Sequence, residues 1–285
     1  MKLLRFEYQG RPHAGVLAGD GVAAVTEINA RRGTKAPDDL LEIIRANAVA
    51  ELAELDGVER IPLTEVKPLL PYDVPPKIWC IGLNYHSHAV DIQAVQPEEP
   101  GSFLKPASCL FPPGGEIELP PTDITSEVDA EGELGVIIGK TCRYVPAEHV
   151  GEVIFGYTTT LDLTALDVLR RNPRYLTRAK SFDTFFSFGP VVVTADEAPD
   201  VASLEVITEH NDVICSRDFV ANMKHAPFEL VRFHSDVMTL HAGDLISTGC
   251  PKGARIQPGD RVRARIDGIG ALEARVRQGV RAPRY

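Results

Sequence analysis

Hydrophobic and polar positions alternate in short pieces at the start of the chain. "KLLRFEYQGRPHAGVLAGDGVAAVTEI" is broken at "QG" and "GDG", which suit tight hairpin turns, so it predicts short strands. "DDLLEIIRANAVAELAEL" changes period: Leu40, Leu41, Ile44, Ala48 and Leu52 fall at helical spacing. The proline-rich "PLTEVKPLLPYDVPPK" reads as an extended linker. This pattern predicts a small N-terminal α/β module over residues 1–70 and a second domain over 71–285.

From Ile78 onwards strands dominate. "IWCIGLNY", "IFGYTTTLDL" and "FGPVVVTADE" are strand-like, and "FLKP" and "EIELP" are shorter pieces that end at prolines. "LEVITEHNDVICSRDF" predicts a hairpin turning at Asn211-Asp212. Helical character is confined to "ALDVLRRN", to "HSHAVDIQAV" as a short helix or lid, and to the amphipathic "PFELVRFHSDVMTL". The last has Pro227 at a favourable helix start. The tail, "AGDLISTG" and "PGDRVRARIDGIGALEARV", repeats a turn–strand unit. The expected fold class is α+β, mostly β.

One strand breaks the ordinary pattern. In "VDAEGELGVIIGK", Asp129, Glu131 and Glu133 occupy alternate positions. Side chains alternate faces along a strand, so the three carboxylates share a face, with Ala130, Gly132, Leu134 and Val136 on the other. Like charges so placed repel unless they are solvated or neutralised. A charged sheet edge is one solution and a bound cation is the other; spacing alone leaves both open.

Composition narrows the classes. The chain has 285 residues, 44% hydrophobic and 25% charged, as in ordinary globular proteins. A formal net charge of −10 argues against nucleic acid or an anionic membrane as partner. No apolar run reaches membrane-spanning length, and the N-terminal stretch lacks a signal-peptide core, so a cytoplasmic location is expected. The five cysteines are scattered without a C-x-x-C pair, which fits a reducing compartment and no zinc site of the usual kind.

Four further clusters offer chemistry. "GLNYHSHAVD" holds His86, His88 and Asp91, and a His and an Asp one helical turn apart suit a general base. An ordinary polar surface helix reads the same way. Asp162, among threonines and leucines, is expected to be partly buried and therefore paired or metal-bound. "RAKSFDTF" carries Arg178, Lys180 and Asp183, for an enolate-stabilising lysine or a plain salt bridge. "STGCPKG" is a small-residue loop able to bring backbone N–H groups to an anion, or simply a tight turn. Joined together, Glu131, Glu133 and Asp162 form an all-oxygen set that suits Mg²⁺, Mn²⁺ or Ca²⁺ rather than zinc or copper. A 2-oxo acid or 1,3-dicarbonyl would chelate such an ion, which would stabilise an enolate.

In order and spacing, "GLNYHSHAVD", "FLKP", "VDAEGELGVIIGK", "GYTTTLDLTALD", "RAKSFDTFFSFGP", "AGDLISTGCPKG" and the tail resemble the fumarylacetoacetate hydrolase superfamily, over about residues 75–277. The resemblance implies a mixed β-sandwich roll enclosing a metal, Mg²⁺ first, and a homodimer. It also implies a small-molecule diketo or 2-oxo acid substrate. By position, Glu131, Glu133 and Asp162 match the metal ligands, His88 the lid histidine that activates water, and Lys180 the active-site lysine. Asp91 stands where a glutamate is common. Asp129 has no metal role in the pattern and is expected to be solvated or salt-bridged. Tyr85, Leu166, Gly249 and Cys250 fall at substrate-contacting positions.

Departures from the pattern lie in that last group. Leu166 replaces a substrate-contacting arginine, Leu169 a glutamine and Cys250 a threonine. The expected substrate is therefore less acidic or more apolar than a simple acylpyruvate, unless Arg170, Arg171 or Arg174 restores the charge. C–C bond hydrolysis of an acylpyruvate-type substrate is the first expected activity. Isomerisation or decarboxylation of related acids in aromatic catabolism is the alternative, and a retired metal-binding protein is the third reading.

Overall fold

The computed structural model describes residues 1–91 and 93–281. Its first strands are β1 (Lys2–Tyr8), β2 (Arg11–Ala18) and β3 (Gly21–Ala24). The first hairpin turns through Gln9 and Gly10, both at positive φ (50° and 74°), as a two-residue turn between twisted strands requires. Beyond Ala24 the expected strand gives way to helix α1 (Val25–Arg32), whose Val25 and Ile28 are buried. Helix α2 (Leu40–Ala46) starts at Asp39, whose carboxylate accepts the Glu42 N–H at 2.9 Å. It is shorter than its hydrophobic period suggested. Asn47 adopts a left-handed φ of 52° and ends it, and the pattern continues as a 3₁₀ turn over Ala48–Leu52.

The proline-rich stretch is tied down rather than free. β4 (Ile61–Pro62) pairs with β3 and β5 (Lys67–Pro68) pairs with β1. The Tyr72 hydroxyl donates to the Gly243 carbonyl at 2.9 Å, and Leu70 is buried. Apolar residues among the prolines anchor this segment to the body of the protein.

The remaining elements follow the predicted order. They are β6 (Ile78–Gly82), α3 (His86–Asp91), β7 (Gly101–Lys105), β8 (Glu116–Leu119), β9 (Val128–Ile138) and β10 (Ile154–Ala165). Next come α4 (Leu166–Arg171), α5 (Leu176–Lys180), β11 (Phe186–Thr194), β12 (Glu205–His210) and β13 (Val213–Phe219). The chain closes with α6 (Pro227–Val237), β14 (Leu245–Ser247), β15 (Ala254–Ile256), β16 (Arg261–Ile266) and β17 (Gly270–Gln278). The hairpin between β12 and β13 turns through Asn211 and Asp212, both at positive φ. The expected "HSHAVDIQAV" helix reaches Asp91, and Ile92 lies outside the described residues. None of the described helices is long and apolar enough to cross a membrane.

Two sheets result. The larger runs β4-β3-β2-β1-β11-β10-β9-β14-β6-β7, with β15 on β9 and β5 on β1. The smaller is β13-β12-β16-β17-β8. The fold is thus α+β and mostly β. Strand β1 joins β11 antiparallel, Leu3 facing Val192, so the N-terminal strands extend the same sheet that carries the acidic strand. One apolar cluster joins Leu3, Ile28 and Leu40 to Phe186 and Leu245. On the other side, the smaller sheet packs against the apolar face of β9. Gly132 makes that approach possible: a Cβ there would lie 2.6 Å from Thr208 Oγ1 and 3.0 Å from Ala264 Cβ. Its N–H instead donates to Thr208 Oγ1 at 3.1 Å.

Candidate active site

Strands β9 and β10 build the floor. They pair antiparallel with Glu131 directly opposite Asp162 and Glu133 opposite Thr160. Period-two alternation therefore brings all three carboxylates to one face, where ligand oxygens of Glu131, Glu133 and Asp162 lie within 4.8 Å of one another. All three residues are at most 5% exposed. Three buried carboxylates this close need compensation.

Part of it comes from lysines. The Lys180 ammonium donates to Glu131 Oε2 at 2.9 Å and to Asp162 Oδ2 at 3.1 Å. Lys105, at the end of β7, pairs with Asp162 Oδ1 and donates to the carbonyls of Leu163 (3.1 Å) and Phe185 (2.7 Å). Glu131 Oε1 also accepts the Thr164 hydroxyl at 2.6 Å. Glu133 Oε2 accepts Ser247 Oγ–H at 2.5 Å and Gly249 N–H at 2.9 Å. Burial lowers the Lys180 pKa, but Asp162 and Glu131 outweigh it and hold that pKa well above its ordinary value. Burial raises Glu131, yet Lys180, His88 and Thr164 bring it below the usual range. Burial, then Asp162 and Glu131, push Glu133 up to about 8. The Ser247 hydrogen bond and the nearby Lys180 pull that pKa down but are outweighed.

These residues fit a hard divalent cation. The donors are all carboxylate oxygens, and Glu133 Oε1 accepts no hydrogen bond from the described residues. His88, Glu131 and Cys250 form a second cluster, also within 4.8 Å. It is the poorer cation site. Burial and the two glutamates hold the Cys250 thiol well above its ordinary pKa, and a metal-binding cysteine must be a thiolate.

Around this floor opens a cavity of about 700 Å³. Its wall includes His88, Asp91, Lys180, Leu166 and Cys250, as well as the two glutamates. The His88 Nδ1 atom is buried without a hydrogen-bond partner. Asp91 does not orient it. Its carboxylate pairs with Lys252 Nζ at 2.8 Å instead. Asp129 is held by Arg255 at 2.5 Å, and burial raises its pKa against that pull. The salt-bridged alternative for this third charge is the one observed. Tyr85 is fully buried and does not line the cavity, while Gly249 turns its N–H to Glu133. Of the three arginines considered as replacements for the missing charge, Arg170 lines the cavity. Arg171 instead bonds the Ile124 and Asp167 carbonyls, and Arg174 is not on the cavity wall.

Sequence reasoning missed Lys105, Thr164 and Arg255, and held Ser247 only as the first residue of the "STGCPKG" loop. A lysine inside the otherwise apolar "FLKP" was the available signal for the first. The hydroxyls carry none by themselves, because threonine in a strand is ordinary. Arg255 becomes visible only through the pairing of β15 with β9, which sets it opposite Asp129.

Residues 77–277 match the family described as fumarylacetoacetate (FAA) hydrolase C-terminal. The chain belongs to the fumarylacetoacetate hydrolase family. Within that family it is similar to the mitochondrial oxaloacetate tautomerase FAHD2A of Bos taurus, 31% identical across 95% of this chain and 90% of the relative. Among solved structures it resembles the maleylpyruvate hydrolase of Sphingobium sp. SYK-6 in complex with manganese(II) and pyruvate. The two share 34% identity and a TM-score of 0.81 over 98% of this chain and all of that one. It also resembles the 5-carboxymethyl-2-hydroxymuconate delta-isomerase of Mycobacterium smegmatis. There the identity is 32% and the TM-score 0.77, over 99% of this chain and all of the other. These three relatives are enzymes, and their names divide among hydrolysis, isomerisation and tautomerisation.

Proposed function

We propose that the chain is a divalent-cation-dependent hydrolase that cleaves a C–C bond in a diketo acid of the acylpyruvate type. The observation that carries the reading is the convergence of Glu131, Glu133 and Asp162 beside a buried Lys180, with His88 on the wall of the same cavity. A manganese(II) ion and pyruvate together in a 34%-identical hydrolase support it. An ion held by the three carboxylates, Mg²⁺ or Mn²⁺ by choice, would act as a Lewis acid toward two neighbouring substrate oxygens.

The chain's own residues would do the rest. His88 is the one imidazole lining the cavity among the described residues, and its buried Nδ1 makes no other hydrogen bond. It would take a proton from water as the oxygen attacks the carbonyl distal to the 2-oxo acid. The C–C bond then breaks, its electron pair forms the enolate of the departing 2-oxo acid, and protonation at carbon releases that acid. Lys180 supplies a fixed positive charge beside the developing enolate.

Tautomerisation is the second reading, and one observation favours it. Asp91 is engaged with Lys252, so His88 lacks a carboxylate partner, and shuttling a proton between carbon and oxygen needs no activated water. The two readings separate on His88→Ala, assayed on acylpyruvates, oxaloacetate and hydroxy-dienedioates with Mn²⁺. Hydrolysis is expected to fall by about 10²–10⁴-fold; tautomerisation that survives the change would make it the true reaction. Turnover insensitive to a chelator would remove the cation from the reading altogether.

A further inference from the structure

We propose that the outer part of the cavity selects a substrate whose far end is uncharged and apolar. The substrate class is then an alkyl- or aryl-bearing 2-oxo or 2,4-dioxo acid, not a dicarboxylic one. The inference rests on the reading above for the near end of the substrate only.

Two independent features of the wall lead here. The first is its composition. Leu166 and Leu169 are three apart on α4, on one helical face, and both line the cavity. Leu176 on α5, Phe103 on β7 and Pro173 line it as well. Phe103 lies with its ring 5.1 Å from Lys180 Nζ, so apolar wall begins next to the polar floor.

The second feature is that each cation on the wall already has a carboxylate among the described residues. Lys180 is bound to Glu131 and Asp162. Arg170 Nη1 donates to Glu127 Oε2 at 2.6 Å. Arg255 reaches Asp129 Oδ1 at 2.5 Å and Glu127 Oε2 at 3.1 Å. Both arginines thus close on one pair of acids. A second carboxylate on the substrate would meet guanidinium groups whose charge Glu127 and Asp129 already offset, and would lie close to those two acids, so it gains little there. An alkyl chain meets leucine and phenylalanine instead and leaves the ion pairs intact.

The test compares two ligands of equal carbon count, 2-oxohexanoate and 2-oxoadipate, by calorimetric titration of the full chain with saturating Mn²⁺. 2-Oxohexanoate is expected to bind at least about tenfold more tightly. Leu166→Arg is expected to reverse the order, and Leu169→Arg, at a half-buried position, serves if the first variant does not fold. Equal or tighter binding of 2-oxoadipate to the wild type overturns the proposal, and so does binding of neither. A parallel assay on 2,4-dioxo acids keeps the two ideas apart. Absence of cleavage together with a retained preference for 2-oxohexanoate would defeat the hydrolase reading and leave this one standing.

Discussion

Glu133 links the site to pH. Its pKa rises from the ordinary 4.5 to about 8. A carboxyl with a raised folded-state pKa contributes stability that is full below its unfolded value and is lost as pH climbs through the folded one. Glu131 is shifted the other way, so its contribution is lost only below its ordinary pKa. Cation-free protein should therefore lose stability between about pH 4.5 and pH 8, and Glu133→Gln should flatten that slope. Urea titrations at a series of pH values, with chelator, read this directly; an equal slope in the variant would refute it. Lys105 makes a second prediction at this scale. Its removal leaves Asp162 with Lys180 alone, and breaking a buried pair costs about 3 kcal/mol or more. Lys105→Met should be destabilised by roughly that amount, with part of the loss restored by Mn²⁺, as read from thermal midpoints. An unchanged midpoint would mean that Lys180 suffices. These residues also mark how far the sequence could be read. Glu131 and Glu133 stand out because alternation is a local rule, Asp162 because a carboxylate among threonines and leucines is conspicuous, and Lys180 because the "RAKSFDTF" block matches the family pattern. Ser247 and Arg255 touch Glu133 and Asp129 across sequence separations of more than 100 residues, and local pattern has no access to such contacts.

At the scale of elements, α3 brings His88 and Asp91 to the cavity wall, and beside the buried Ala89 its anchors are polar contacts. Asp91 pairs with Lys252, and Ser87 Oγ–H reaches the Pro251 carbonyl at 3.1 Å. The adjoining segment is fixed by Lys224, which donates to the Pro97 carbonyl at 2.6 Å. Lys252 is 49% exposed, so its pair is worth at most about 1 kcal/mol to global stability. Lys252→Met should accordingly leave the thermal midpoint within a few degrees while speeding amide exchange at Ala89, whose N–H bonds the Tyr85 carbonyl. Unchanged exchange would show that Ser87 and Lys224 carry the restraint. Strands and their turns were legible in the sequence, down to Asn211-Asp212, because turn residues and alternation are local signals. Helix α1 was not. Its "VTEINARR" follows β3 without a break, and what separates the two is the burial of Ile28 against the sheet.

For the whole molecule, the continuity of β1 with β11 decides how the N-terminal residues behave. A chain trimmed to residues 71–285 would bare the β11 edge and open the cluster that joins Leu3 and Ile28 to Phe186. It should aggregate, or refold without sharp cooperativity; a soluble, cooperative fragment would establish the first 70 residues as an independent module. Gly132 sets a comparable limit on the other face. Gly132→Val would force Thr208 and Ala264 away, and should cost stability and Mn²⁺ binding together because its neighbours in sequence are Glu131 and Glu133.

The opposition of Glu131 and Asp162 across two long strands carries a consequence for how the chain finds its fold. Were β9 turned over by a slip of one residue, Glu131 and Glu133 would point at the smaller sheet, among Ala264 and Val206 and away from Asp162 and Lys180. Such a mispaired chain would be penalised most heavily at these two glutamates. The residues proposed to hold the cation thus also proofread the strand register, and replacing them to test that role would loosen the choice of fold.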